Sequence, residues 1–167
     1  HIYAAGDVSG PYEIVHIPIQ QAEVAAYNAA TTGRDACATK KMDYRTKAEV
    51  VFTDPHIAAV GLWEKEAREQ NIPYRAARYR FSDHGKSLIM GETDGFVKVL
   101  ANPKSGEIIG GHIVGPEAGD LIHELIAVMH LRGTVFDLAT MPHYHPTLAE
   151  ILTYPAEELA DKIRRRR

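Results

Sequence analysis

The chain has 167 residues, 45% of them hydrophobic and 25% charged, enough to bury one good core with a little chain left over. Its formal net charge of -3 lacks the basic footprint expected of a nucleic-acid or anionic-membrane partner. There is no signal-peptide pattern and no apolar run long enough to span a bilayer. Cys37 is single, which excludes an intrachain disulfide and a cysteine-based zinc site; a reducing, cytoplasmic setting is expected.

The opening residues, His1 to Val8, carry a buried-strand pattern that stops at Gly6-Asp7. A chain seldom begins inside a strand, so residue 1 is expected to be a cut edge. A small apolar strand ending in Gly-Asp before a helix is a candidate nucleotide site. Gly6 lets a ligand approach the backbone, and Asp7 can accept hydrogen bonds from sugar or ribityl hydroxyls. The same pattern also fits a plain turn. Residues 14–30 read as a helix, with Pro18 tolerable in its first turn. Residues 31–47 turn polar without a clear period and read as a linker.

A compact domain is expected over residues 48–167. Residues 50–53 and 58–62 read as short strands separated by Asp54-Pro55, and a helix follows from about Glu64 to Asn71. Trp63 stands at the cap of that helix, where it supplies no side-chain acceptor. Residues 74–81 alternate Arg78 and Arg80 against Ala77, Tyr79 and Phe81, a strand with one wet face. Residues 95–100 and 107–114 form a hairpin around Asn102-Pro103-Lys104-Ser105-Gly106.

The longest helix is predicted from about Pro116 to Arg132, closed by Gly133. Ala118, Leu121, Ile122, Leu125, Ile126 and Met129 line one face of it. His123 and His130, with His143 and His145, invite a metal site, but no carboxylates or cysteines are arranged around them, and none is expected. Thr134 to Asp137 has the capping-box spacing and starts a short helix. Residues 151–163 are helical with an interruption at Pro155, and Arg164 to Arg167 are a charged tail. Strands and helices segregate, so the fold class is α+β: an antiparallel sheet flanked by helices.

The stretch Met141 to Glu150 needs the most chemical explanation. Pro146 fixes its own φ and holds His145 away from helical geometry. Thr147 to Glu150 also reads as a capping box. One helical turn can bring Glu150 back to His145, where a carboxylate would fix the tautomer of a general base. The plainer alternative is that Glu150 only caps a helix and His145 only fills a turn.

His143-Tyr144-His145-Pro146-Thr147-Leu148-Ala149-Glu150 resembles the C-terminal signature of the flavin-dependent pyridine nucleotide-disulfide oxidoreductases, and is most similar to the dihydrolipoamide dehydrogenase branch. Tyr3-Ala4-Ala5-Gly6-Asp7-Val8 resembles that family's second FAD-binding motif. Phe52-Thr53-Asp54-Pro55, Gly95-Phe96-Val97-Lys98 and the run from Gly110 to Gly115 resemble landmarks of its dimerisation domain.

The resemblance implies that residues 1–30 are the C-terminal end of an FAD-binding domain and residues 48–167 a dimerisation domain. It implies a homodimer in which His145 and Glu150 act as acid/base pair on the partner subunit's flavin and disulfide. Gly6, Asp7, Val8, His145 and Pro146 are the implied cofactor-binding residues, and Asp54-Pro55 and His145-Pro146 the candidate cis peptides. The complete enzyme would use FAD and NAD(P) on a small dithiol or disulfide. Neither a Gly-x-Gly-x-x-Gly fingerprint nor a Cys-x4-Cys pair occurs in the sequence, so this chain alone is expected to retain no cofactor and no turnover. The alternative is a dimerisation-only module of a related flavoenzyme, mercuric-reductase-like or another non-lipoamide member.

Overall fold

The computed structural model describes residues 2–10, 12–31 and 39–165; His1, Pro11, part of the polar stretch 31–47 (residues 32–38, Cys37 among them) and the last two arginines of the tail lie outside them. The chain divides into two compact units, His1–Lys47 and Ala48–Arg167.

The first unit is built on α1 (His16–Thr31). Pro18 sits in its first turn, where its missing N–H costs nothing. Gln21 on this helix accepts from the Gly6 N–H at 2.8 Å and donates to the Gly10 carbonyl at 3.1 Å, so one buried amide holds the whole Gly6–Gly10 turn. Asn28 does the same for residue 40, accepting from its N–H and donating to its carbonyl. The strand expected over residues 1–8 is not formed: residues 2–5 have no regular structure and Ile2 is 87% exposed. An apolar alternating run becomes a strand only beside another strand, and no strand occurs among the described residues of this unit.

The second unit is a five-stranded antiparallel sheet in the order β1-β2-β5-β4-β3, made by β1 (Ala48–Val51), β2 (His56–Gly61), β3 (Arg75–Arg80), β4 (Phe96–Ala101) and β5 (Ile108–Gly115). The short α2 (Glu64–Glu69) joins β2 to β3. Its cap works in reverse: the Glu66 carboxylate accepts from the Trp63 N–H at 2.8 Å, since an indole can only donate. One short helix escaped the sequence pattern, α3 (Gly85–Met90). It carries exposed Leu88, Ile89 and Met90, and so has no apolar face turned to the core to betray it.

Three helices cover the core face of the sheet: α4 (Ala118–His130) over β2 and β5, α6 (Thr153–Arg164) over β3 and β4, and α5 (Val135–Thr140) against α6. Ala118, Ile122, Leu125 and Met129 are buried at helical spacing on α4. Close approach of α4 to β5 depends on Gly111, where a Cβ would stand 2.5 Å from Leu125 Cδ1. The helix ends in a Schellman arrangement, with Gly133 N–H donating to Val128 O and Arg132 N–H to Met129 O. Arg132, not Gly133, takes the left-handed position (φ 56°). Gly133 is needed instead for contact, because a Cβ there would meet Val128 Cγ1 at 2.6 Å. Pro155 does not interrupt the last helix, for it falls in the first turn of α6, where proline is tolerated.

Candidate active site

Between Thr140 and Ala149 the chain has no helix or strand, only bends. The full capping box of α5 precedes it: Thr134 Oγ1 accepts from the Asp137 N–H, and the Asp137 carboxylate accepts from the Thr134 N–H and hydroxyl, both at 2.7 Å. Those bonds hold the Asp137 carboxyl below its usual range. A 3-10 turn over Ala149–Leu152 follows the loop and leads into α6.

Two histidine–glutamate pairs lie on this loop. His145 Nδ1 is 2.9 Å from Glu150 Oε1, and Glu150 Oε2 accepts from the Thr147 N–H at 2.8 Å. A single carboxylate therefore caps the turn and contacts the imidazole. Only half of the expected box forms, because the Thr147 hydroxyl takes no part in it. The Thr147 N–H first, and then the His145 hydrogen bond, lower the Glu150 pKa against a smaller opposing effect of burial. The His145 side chain is 80% exposed, and the His145-Pro146 bond is cis, as is Asp54-Pro55. These are the two bonds singled out from the sequence.

The second pair is partly buried. His143 is 8% exposed in its side chain, with Nε2 2.6 Å from Glu124 Oε1 on α4 and Nδ1 2.9 Å from the Met141 carbonyl. Behind the loop lies His84, 2% exposed, with Nδ1 2.9 Å from Ser87 Oγ and its ring edge towards Tyr154, which stacks on Tyr79. Burial lowers the His84 pKa, and the Glu150 charge partly opposes this. Neither Glu124 nor His84 was found from the sequence. Glu124 stands on a side of α4 turned away from the buried stripe of Ile122, Leu125 and Met129, so helical spacing gave no signal for it.

Among the described residues no group of three or more His, Cys, Asp or Glu could hold a metal. His123 Nδ1 instead lies 2.9 Å from the Gly119 carbonyl one turn back. In the first unit, Gly6 has φ 89° and Asp7 and Val8 are exposed in the turn held by Gln21.

The sequence profile described as "Pyridine nucleotide-disulphide oxidoreductase, dimerisation domain" matches residues 47–156. The chain belongs to this family. A dihydrolipoyl dehydrogenase 3 of Haloarcula marismortui is 35% identical over the whole chain, which covers 34% of that protein. A dihydrolipoyl dehydrogenase of Chlamydia muridarum is 35% identical over 90% of the chain, covering 31% of it. The crystal structure of LpdA from Mycobacterium tuberculosis superposes with a TM-score of 0.82 at 30% identity, over 94% of this chain and 33% of that one. The chain thus spans about a third of the length of these relatives, and the five-stranded antiparallel sheet with its helices is the dimerisation-domain fold. Among the described residues no helix is long and apolar enough to cross a membrane.

Proposed function

We propose that this chain is the C-terminal third of a cytoplasmic, homodimeric, flavin-dependent NAD(P)H:disulfide oxidoreductase acting on a dithiol of the dihydrolipoamide type. The observation that carries this reading is the His145 Nδ1–Glu150 Oε1 contact at 2.9 Å on a ring that remains 80% exposed. A ring donating Nδ1–H to a carboxylate presents Nε2 as an acceptor, and exposure leaves that nitrogen open to a second molecule. His145 then removes the proton of a substrate thiol, giving thiolate and imidazolium, and the thiolate is the nucleophile in disulfide exchange. Glu150 holds the tautomer and stabilises the imidazolium. Its lowered pKa keeps it ionised in that role.

FAD supplies the electron acceptor of such chemistry when bound. Gly6, Asp7 and Val8 fit one edge of it: the left-handed glycine leaves room at the backbone, and the exposed Asp7 carboxylate can accept from ribityl hydroxyls. His145 and Pro146 would meet it from the partner subunit. One edge is too little to offset the freedom a bound ligand loses. The isolated chain is therefore expected to purify as a colourless dimer. Sedimentation velocity and flavin absorbance after gel filtration test this, and a yellow or strictly monomeric species would contradict it. In the complete enzyme, normal turnover of a His145→Gln variant would end the assignment of the acid/base.

A further inference from the structure

The geometry points to Glu124, acting through His143, as the residue that positions His145. This rests on the acid/base reading of His145. An exposed ring gains no orientation from packing, so its place is set by its Glu150 contact and by its own backbone. That backbone lies in a loop without helix or strand and needs anchors on both sides. Downstream the anchor is Glu150, which accepts from the Thr147 N–H. Upstream it is His143, whose ring bridges its own loop, at the Met141 carbonyl, to Glu124 on α4.

Each ring nitrogen of His143 is within hydrogen-bond distance of one partner, the Met141 carbonyl and the Glu124 carboxylate. At 8% exposure, water is a poor replacement for either partner. Glu124 is itself well placed as a reference point. It projects from the side of a helix whose opposite, buried face (Ile122, Leu125, Met129) is seated against the sheet at Gly111. The line of support runs from β5 through α4 and Glu124 to His143, and ends two residues before the proposed catalytic imidazole.

The test is in the complete enzyme, with two half-reactions followed separately: flavin reduction by dihydrolipoamide, which uses His145, and flavin reduction by NADH, which does not. Glu124→Ala should slow the dithiol half-reaction by about 10- to 100-fold, as a displacement near 1 Å of a reacting group does, and change the NADH half-reaction less than about threefold. Glu124→Gln keeps an acceptor for Nε2–H and should restore the dithiol rate to within about threefold of the parent. A folded Glu124→Ala enzyme with an unchanged dithiol rate would overturn the inference, as would equal loss in both half-reactions. If Glu124→Ala does not fold, His143→Gln decides on the same two rates. His145→Gln belongs in the same series: full dithiol activity there would remove the underlying acid/base reading, whereas a slow His145→Gln beside a normal Glu124→Ala would remove only the positioning role.

Discussion

The same loop carries two histidines, each with a glutamate, and they differ in almost everything except chemistry. His145 is exposed, its carboxylate comes from the same loop, and one ring nitrogen is open. His143 is buried, its carboxylate comes from a helix whose Glu124 lies 19 residues away, and both ring nitrogens are occupied. A pair with a vacant nitrogen facing solvent can exchange a proton with another molecule. A pair with both nitrogens used inside the protein can only hold parts together. Residue type and short spacing do not separate the two roles; access does.

The contrast is broken most directly by changing the exposed member. His145→Gln in the complete enzyme should lower the thiol half-reaction by roughly 10²–10⁴, while the melting temperature of the protein moves by no more than about 2 °C. Stopped-flow absorbance and calorimetry read the two effects. The second pair should respond the other way in stability. Glu124→Ala removes one partner of a partly buried pair, and chemical denaturation of the 167-residue chain should show a loss of about 1–2 kcal/mol.

A third histidine sharpens the contrast, since it is buried with no hydrogen-bond partner at either nitrogen. His112 packs on Trp63 at 4.3 Å between ring centroids. Burial, aided by the Lys98 charge and opposed by Glu64 and Glu66, lowers its pKa from the ordinary 6.5 to about 4. The unfolded chain therefore takes up this proton before the folded one does. The stability contributed by the neutral ring is complete above about pH 6.5 and is lost as pH falls from there towards 4, by up to about 3 kcal/mol. His112→Leu should flatten that acid limb in a series of denaturant titrations; an unchanged slope would assign the acid sensitivity elsewhere.

The smallest effect compares the two caps flanking the loop. Thr134 uses its hydroxyl in a complete box, and Thr134→Ala should cost about 1 kcal/mol. Thr147 contributes only its backbone N–H, so Thr147→Ala should leave the melting temperature almost unchanged.

Much of this was legible in the residues. The alternation of Arg78 and Arg80 with Ala77 and Tyr79 marked β3, the period of Ile122, Leu125 and Met129 marked α4, and Thr134-x-x-Asp137 marked a cap that forms completely. Pro146 and the five-residue spacing pointed to the His145–Glu150 contact. What escaped the pattern was non-local or lacked a buried face. Helix α3 exposes its apolar residues, the segment at residues 2–5 meets no strand among the described residues of its own unit, and Glu124 meets His143 across 19 residues.

The amino-acid sequence by itself determined most of the local elements of the second unit, the short-range His145–Glu150 pair and the family to which the chain belongs, because those depend on propensity and on spacings of a few residues. Only the tertiary structure decided that His145 stands in solvent while His143 and His112 are buried, and that α4 supplies the second glutamate. Burial depends on which distant surfaces meet, and the availability of a nitrogen to a second molecule follows from burial.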